Sequence, residues 1–432
     1  MTTESKDIVS KKRILLERLF AKLRLGIKPG LERTLQLSEF VGSPHKKIKS
    51  VHIAGTNGKG SVASVIASVL TESGLKTGLY TSPHLVDFNE RIRINGKMIS
   101  DEEIVNYAEE LLEFAESINC TFFEITTVMA FKYFADNQTD ICIIETGMGG
   151  RFDSTNILMP LLTIITSIGI DHTEFLGETK ELIAFEKAGI IKASTPCIIG
   201  ESAVELAHVF QNAAKQVNAD LIFAGDRYNF ENISYNSNFK TSARAVSVNK
   251  SFDIVSVLPG NHQLSNLKSS LTAIDLLIDL GYKIDEMTVR NGIENVYNNT
   301  GLTGRIQTIR EKPLLLLDVS HNPEAISELL KTIKLHSGDK QKFTIIFGAM
   351  ADKDIRSMLE ILKPITQRLF LSKLKIDRAE SPENIAQMAA ELQFGEIVQF
   401  EDVKSAYESI ADDDTIITGS FYLAGEMSEL IL

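Results

Sequence analysis

The sequence has 432 residues, of which 44% are hydrophobic and 24% are charged, and its formal net charge is −12 at pH 7. This length exceeds what one hydrophobic core usually organises, so we expect two or three globular domains. The negative charge argues against a nucleic-acid-binding surface as the main function, although local basic pockets for a small anion remain compatible with it.

The cysteines and the N-terminal residues indicate the cellular compartment in which the protein is expected. Cys120, Cys142 and Cys197 are odd in number and do not have the spacing of metal ligands, which suits a reducing environment. Residues 1–12 are polar without the apolar core of a signal peptide, and no apolar run approaches transmembrane length. We therefore expect a cytoplasmic protein with no nucleic-acid or membrane partner.

The most informative segment is Gly55-Thr56-Asn57-Gly58-Lys59-Gly60-Ser61, called the phosphate loop below. It follows a strand-like run over 48–53 and precedes a helical pattern over 62–72. Free backbone N–H groups and the helix dipole attract phosphate at such a junction, Lys59 adds positive charge, and Ser61 can reach Mg²⁺ with its hydroxyl. The match to the general nucleotide-binding pattern is incomplete, because Ile53 occupies the position of its first glycine. The alternative is a glycine-rich turn with an exposed lysine.

Three further polar residues follow predicted strands in the same way. Ser82 and His172 come after apolar runs over 76–80 and 161–168, and Glu145 ends the run over 140–145. Because ligands of open α/β sheets bind at the carboxyl ends of the strands, we expect these residues near the bound phosphates. Glu145 is the best candidate for a charged Mg²⁺ ligand, since this hard cation prefers oxygen donors. The alternatives are helix capping by Glu145 and simple packing for His172.

The periodic pattern changes after a cluster of Asn, Thr and Gly residues at 297–304, which we predict to be a linker. The chain before it, 1–296, contains the phosphate loop and a weakly alternating segment at 225–257. The chain after it, 305–432, has helical patterns between strand-like runs over 313–318, 343–348, 368–371, 397–400 and 415–418. This βαβ pattern predicts a second, smaller α/β domain with a largely parallel sheet.

The second domain also has polar residues directly after a strand. Asp318 and His321 follow its first predicted strand and precede Asn322-Pro323, which is typical of a helix start. Capping by Asn322 explains part of this pattern and is compatible with a functional role for its neighbours. Arg305, at the domain boundary, offers a guanidinium that could meet phosphates from the opposite side of a cleft.

The motifs as a set resemble those of folylpolyglutamate synthase, an enzyme of the Mur ligase superfamily that is often bifunctional with dihydrofolate synthase in bacteria. The likeness runs from about residue 25 to the C-terminus. It rests on the segments GTNGKGS (55–61), TSPHL (81–85), ETGMGGRFDSTN (145–156), DHTEFLG (171–177), EKAGIIK (186–192), GNHQLSN (260–266) and DVSHNP (318–323). The resemblance implies a phosphate-loop NTPase-like N-terminal domain with a mostly parallel sheet and a smaller, Rossmann-like C-terminal α/β domain.

The resemblance implies cofactors and metal ligands. Gly55 to Ser61 would hold the phosphates of ATP, and Asn266 would lie near the adenine. One or two Mg²⁺ ions, with or without a monovalent cation, would be bound by Ser61, Ser82, Glu145, His172 and Lys187. Lys187 matches a lysine that the family carries as a carbamate, which supplies the carboxylate that an ammonium lacks. Without the resemblance, an ordinary ion pair of Lys187 would be the favoured interpretation.

The resemblance also implies substrate-binding residues. Arg305, Asp318 and His321 would close over the nucleotide and the incoming glutamate. Ser420 matches a position associated with glutamate, and Phe123 matches an aromatic residue linked to the pterin. Packing in the core of the domain is an equally good explanation for Phe123.

The implied reaction is the ATP-dependent addition of L-glutamate to dihydropteroate, to reduced folates, or to both. The carboxylate would take the γ-phosphoryl group while Mg²⁺, Lys59 and Arg305 spread the developing charge, and the glutamate amine would attack the acyl phosphate. His321 or Asp318 would accept the proton. The rivals are another Mur-type ligase, which needs a domain for its large donor before the phosphate loop, and a phosphate-loop NTPase without ligase chemistry. We expect small-molecule partners and a monomer.

Overall fold

A computed structural model describes residues 3–22, 30–338, 341–410 and 412–431. The described residues form two α/β domains, each built on its own largely parallel sheet, and this confirms the predicted fold class. Residues 23–29, where the family resemblance begins, lie outside the described residues. Within the described ranges, every helix is too short or too polar to span a bilayer.

The N-terminal domain contains an eight-stranded sheet. Its strands are β1 (Ser50–Ala54), β2 (Thr77–Tyr80), β3 (Ile92–Ile94), β4 (Lys97–Met98), β5 (Ile141–Glu145), β6 (Leu162–Ile165), β7 (Cys197–Ile199) and β8 (Leu221–Phe223). Their spatial order is β4-β3-β2-β5-β1-β6-β7-β8, and only β3 and β4 run antiparallel to their neighbours. β1 pairs in register with β5 on one side and β6 on the other, so the loops after these strands share one edge.

The helices of this domain cover the sheet, and α3 is buried on all sides over residues 60–70. They are α1 (Thr3–Ala21), α2 (Glu32–Phe40), α3 (Lys59–Glu72), α4 (Asp101–Ser117), α5 (Phe122–Asp136), α6 (Thr173–Leu176), α7 (Lys180–Ala188), α8 (Ala207–Val217), α9 (Ala224–Arg227), α10 (Asn261–Asp279), α11 (Glu286–Glu294) and α12 (Val296–Thr300). Reciprocal capping boxes at Ser100 and Thr121 begin α4 and α5, because each cap oxygen accepts from the third helical N–H while Glu reaches back.

A small antiparallel sheet forms within 225–257, where the weak alternation is compatible with irregular structure or with short antiparallel strands. Its strands are β9 (Asn229–Tyr235), β10 (Thr241–Val246) and β11 (Ser251–Ser256), in the order β11-β10-β9. The turn between β9 and β10 extends to the C-terminal domain. There Phe239 belongs to the same apolar cluster as residues of the second sheet.

The C-terminal domain contains the second sheet. Its strands are β12 (Gln307–Glu311), β13 (Leu314–Leu317), β14 (Phe343–Phe347), β15 (Thr366–Ser372), β16 (Glu396–Phe400) and β17 (Thr415–Thr418), in the order β12-β13-β17-β14-β15-β16. Its helices are α13 (Pro323–Ser337), α14 (Ile355–Leu362), α15 (Pro382–Glu391), α16 (Val403–Glu408) and α17 (Phe421–Ile431). The predicted linker at 297–304 includes most of the short helix α12, and the domain limits 1–296, 297–304 and 305–432 stay a prediction.

Candidate active site

The phosphate loop connects β1 to the N-terminus of α3. Gly58 precedes α3 with a φ of 86°, a left-handed conformation that glycine adopts without strain. An added Cβ on Gly58 would lie 2.4 Å from Oδ1 of Asn266, so only a bare backbone fits against this side chain. Asn266 therefore lies beside the phosphate loop. Its position near the adenine of a bound nucleotide stays a prediction.

Lys59 points back over the loop that precedes it. Its Nζ donates hydrogen bonds to the carbonyl oxygens of Gly55 and Thr56, both at 3.1 Å. The loop is held from β6 as well, because the hydroxyls of Thr166 and Ser167 donate to the carbonyl oxygen of Asn57. These contacts hold the Lys59 ammonium against the loop that precedes α3. A positive charge at the N-terminus of a helix favours phosphate.

Ser61 is buried in the first turn of α3. Nε2 of Gln263 donates to its hydroxyl oxygen at 3.3 Å, and Nδ2 of Asn266 in turn donates to Oε1 of Gln263. Helix α10 thus supports both the phosphate loop and the predicted metal-binding hydroxyl. Gln263 belongs to the segment 260–266, but its sequence pattern alone does not predict this contact with Ser61.

Glu145 ends β5 next to the phosphate loop and is only 4% exposed. Its Oε2 accepts a hydrogen bond from the backbone N–H of Ser82 at 3.1 Å. Burial raises the pKa of Glu145, while Lys59, this hydrogen bond and Arg305 favour the ionised form. The structure therefore brings Ser82 and Glu145 together, as the sequence predicted.

The donors present fit a hard cation better than a softer one. Among the described residues, no cluster of three or more His, Cys, Asp and Glu side chains has metal-binding geometry. The buried carboxylate of Glu145 and the nearby serine hydroxyls are oxygen donors. Mg²⁺ that is bound to substrate phosphates requires oxygen ligands of this kind. The residues that would hold Mg²⁺ are thus Glu145, Ser61 and Ser82, and their role as ligands stays a proposal.

His172 and Lys187 lie on the other side of the phosphate loop. Nζ of Lys187 donates to the carbonyl oxygen of Gly55 at 2.9 Å, and burial beside Lys59 lowers the pKa of Lys187 to about 7. Burial also lowers the pKa of His172. The negative charge of Asp171 raises this pKa, whereas the positive charges of nearby lysines, which include Lys187, lower it further. Both predicted residues are therefore close to the phosphate loop.

Arg305 approaches the phosphate loop from the start of the C-terminal domain. An added Cβ on Gly60 would lie 3.6 Å from Nη2 of Arg305 and 3.8 Å from Oε2 of Glu145, so both groups face the same glycine. Asp318, which is 5% exposed, accepts hydrogen bonds from the backbone N–H groups of Ile306 and Ser320. The Asp318 carboxylate therefore fixes the residue after Arg305 and aims the guanidinium at the cleft.

His321 and Ser420 follow the neighbouring strands β13 and β17. The rings of His321 and Phe421 have centroids 5.3 Å apart, and the Arg305 guanidinium lies 5.7 Å from the Phe421 ring centroid. Burial lowers the pKa of His321, so its imidazole is neutral near pH 7. The hydroxyl oxygen of Ser420 accepts from the N–H of Leu423 and caps α17. Its role in binding glutamate remains a prediction.

Phe123 packs on the loop that follows Glu145. An added Cβ on Gly147 would lie 2.5 Å from the Phe123 ring, whose centroid is 6.1 Å from that of Tyr80. The ring is only partly buried, so it combines packing with an accessible edge. This position is compatible with both interpretations of Phe123.

A small cavity joins the two domains at this point. Its volume is about 60 Å³, and residues from both domains line it, among them Ser82, Glu145, Thr303, Arg305 and Phe421. The carboxyl ends of β2, β5 and the second sheet thus converge on one interdomain cleft. This convergence is what the positions of polar residues after strands predicted.

Lys353 is a residue of the cleft that the sequence reasoning missed. It follows β14 in the loop before α14, and its positive charge lowers the pKa values of both His172 and His321. Its Nζ lies 3.3 Å from Oδ2 of Asp352. The same reasoning on polar residues after strands would have found Lys353, because β14 lies beside β17 in the second sheet.

Comparison with known proteins identifies the class. The family model "Mur ligase middle domain" matches residues 53–274, and "Mur ligase, glutamate ligase domain" matches residues 304–420. These two matches cover both domains and define an ATP-dependent ligase of the Mur type.

Similar proteins and solved structures identify the family within this class of ligases. The dihydrofolate synthase/folylpolyglutamate synthase of Bacillus subtilis is 35% identical, covering 95% of this chain and 96% of the relative. The crystal structure of folylpolyglutamate synthase from Thermotoga maritima has a TM-score of 0.86 at 31% identity and 97% coverage of both chains. The Mycobacterium tuberculosis enzyme, solved with ADP and AMPPCP, has a TM-score of 0.85 at 28% identity, covering 98% of this chain and 99% of that one. The chain belongs to the folylpolyglutamate synthase/dihydrofolate synthase family.

Proposed function

We propose that this ligase uses ATP to add L-glutamate to dihydropteroate, to (poly)glutamylated reduced folates, or to both, through an acyl phosphate. The observation that carries the proposal is the convergence of Lys59, Glu145 and Arg305 on one cleft between the two domains. A carboxylate is a poor acyl donor because its oxygen leaves badly. Phosphorylation by ATP removes this obstacle, and the domain interface can shield the product from water.

In the first step the substrate carboxylate attacks the γ-phosphoryl group of ATP. The phosphate loop orients the phosphates, and Lys59 from one domain with Arg305 from the other balance the charge that develops on them. Mg²⁺ would supply further electrophilic stabilisation of the phosphates, held by Glu145 with Ser61 and Ser82. Asp318 acts indirectly in this scheme, by holding the backbone next to Arg305.

In the second step the α-amine of L-glutamate attacks the acyl phosphate and inorganic phosphate leaves. The amine must first lose a proton, and the neutral imidazole of His321 is the better acceptor of the two candidates. Both carboxylate oxygens of Asp318 already accept backbone hydrogen bonds. Lys353 and Ser420 follow adjacent strands and would bind the carboxylates of glutamate.

Lys187 has the properties that carbamylation requires. Burial lowers the pKa of Lys187 to about 7, so much of it is a neutral amine near pH 7. A neutral amine adds to CO₂ with formation of a C–N bond and loss of one proton, and the resulting carbamate is an oxygen ligand. We propose that Lys187 is carbamylated and, with His172, completes a second cation site for Mg²⁺ or a monovalent ion.

The experiment that tests the function is ADP release with Mg²⁺ and L-glutamate, comparing dihydropteroate with tetrahydrofolate, with product masses read in parallel. Turnover with both acids, each product heavier by one glutamyl residue, establishes the bifunctional enzyme. Turnover with one acid alone restricts the substrate range. We expect Glu145→Gln to abolish turnover and Glu113→Gln, on an exposed face of α4, to preserve it. Absence of turnover with both acids contradicts the proposal.

The oligomeric state and location remain predictions. We propose a monomer, because residues of both domains of a single chain line the cavity in the cleft. We propose a cytoplasmic location, because Cys120, Cys142 and Cys197 are free thiols, which suits a reducing compartment. A stable dimer in sedimentation at low micromolar concentration would overturn the monomer.

A further inference from the structure

One face of α13 contacts the N-terminal domain along its whole length. Residues four positions apart lie on one side of a helix, and Glu324, Glu328, Thr332 and His336 have this spacing. Oε2 of Glu328 lies 3.8 Å from Nδ1 of His262. An added Cβ on Gly260 would lie 2.3 Å from Oγ1 of Thr332. The four side chains form one continuous seam between the domains.

The end of the seam at His336 is an apolar plug. Phe239, from the turn between β9 and β10, is 2% exposed and stacks on His336 with centroids 4.8 Å apart and planes 14° apart. Phe239 has a φ of 55°, which is unfavourable for a bulky side chain and persists where surrounding contacts offset it. Nδ1 of His336 also lies 2.7 Å from the carbonyl oxygen of Asn236. This end is therefore a fixed attachment.

The end of the seam at Glu324 is polar and touches the phosphate loop. Oε2 of Glu324 accepts a hydrogen bond from Nδ2 of Asn57 at 3.1 Å. An added Cβ on Gly169 would lie 2.4 Å from the same oxygen, so the carboxylate fits closely over the loop after β6. Glu324 remains partly exposed to solvent, but the partial removal of its carboxyl from water raises its pKa. The positive charge of Lys180 lowers this pKa, and the negative charges of Glu328 and Asp171 raise it further. The carboxylate thus lies where added negative charge is unfavourable.

We propose that Glu324 is a positioning residue that couples ATP binding to the orientation of the C-terminal domain. The Glu324 carboxylate of the C-terminal domain holds Asn57 in the phosphate loop of the N-terminal domain. Phosphate charge arriving at the loop repels the carboxylate and weakens this contact. The C-terminal domain then turns about the Phe239 plug. The inference rests on the proposal that residues 55–61 bind the phosphates of ATP.

The test compares two substitutions one helical turn apart. Glu324→Gln keeps a hydrogen-bond acceptor for Asn57 but removes the charge, so we expect its Kd for ATP to fall about threefold to tenfold. Glu328→Gln, which changes a contact with His262 and not with the phosphate loop, is the matched control and should leave the Kd unchanged. Adenosine carries no phosphate, and its Kd should be the same in all three proteins.

Hydrogen exchange on the wild-type protein gives a second test that needs no variant. We expect ATP to increase exchange around residues 322–326 and to leave the plug at 236–240 protected. Equal Kd values of wild type and Glu324→Gln for ATP, or uniform exchange changes along α13, overturn the coupling. If Lys59→Ala binds ATP as tightly as wild type, the assignment of the ATP site has failed instead.

Discussion

His52 lies within β1, shortly before the phosphate loop, and it makes the stability of this domain depend on pH. Its Nε2 lies 2.7 Å from the hydroxyl oxygen of Thr155, and that hydroxyl donates to Oδ1 of Asp153. Because the hydroxyl proton of Thr155 is already donated to Asp153, Nε2 of His52 must be the donor in its hydrogen bond with Thr155. Nδ1 of His52 is buried without a hydrogen-bond partner among the described residues. Protonation would place a charge on Nδ1 with no acceptor.

The size of this pH effect on stability follows from the pKa of His52 in the folded protein. Burial, with a smaller contribution from the charge of Lys192, lowers the pKa of His52 from 6.5 to about 3. Between these values the unfolded chain binds a proton that the folded protein does not, so stability falls as the pH falls through 6.5 toward 3. From pH 8 to pH 5 the loss attributable to His52 is about 2 kcal/mol. This magnitude holds for any folded-state pKa well below 5.

The assay is chemical denaturation at pH 8 and pH 5 of wild type, His52→Gln and His208→Gln. Gln at position 52 can still hydrogen-bond Thr155 but does not titrate, so we expect its loss of stability between the two pH values to be about 2 kcal/mol smaller than that of wild type. His208 is exposed on α8, and its substitution controls for the removal of a histidine. If His52→Gln and wild type lose the same stability, the buried neutral imidazole is refuted.

Three further substitutions test the cleft. Gly147→Ala brings a Cβ to 2.5 Å from the Phe123 ring and should raise the KM for the pteroate or folate substrate about tenfold, with the KM for ATP unchanged. Gly425→Ala brings a Cβ to 2.2 Å from the carbonyl oxygen of Leu85 in the other domain, so we expect a lower kcat with normal ATP binding. Lys353→Ala should raise the KM for L-glutamate about tenfold without changing that for ATP. Steady-state kinetics with each substrate varied in turn measures all three.

The parts of the fold that the sequence predicted are those with a strong local signal. β5 and β17 are fully buried strands rich in isoleucine, and both appear within a residue or two of their predicted limits. The capping box of Ser100 and Glu103 that begins α4 is a local signal of the same kind, because its two residues have a fixed spacing in the sequence. Positions after strands then predicted that Ser82 and Glu145 would meet.

The strands that the sequence missed lie at an edge of a sheet or next to one. β3 and β4 are short, and Arg93 interrupts the apolar pattern of the first. β12 has two charged residues among its five and pairs only with β13. Edge strands are stabilised by a single neighbour and tolerate charge, so their sequences lack the apolar run that marks a central strand.

The contacts between the domains were beyond sequence reasoning for a different reason. The spacing of Glu324, Glu328 and His336 shows only that they share a face of α13, which is equally typical of a solvated surface. What makes the face functional is the N-terminal domain opposite it, and its position depends on the whole path of the chain. In particular, the Glu324 carboxylate meets Asn57 across 267 positions in sequence. A local sequence pattern identifies the side chains that can react. Whether side chains of the two domains come into contact depends on the seam between the domains, which no local pattern describes.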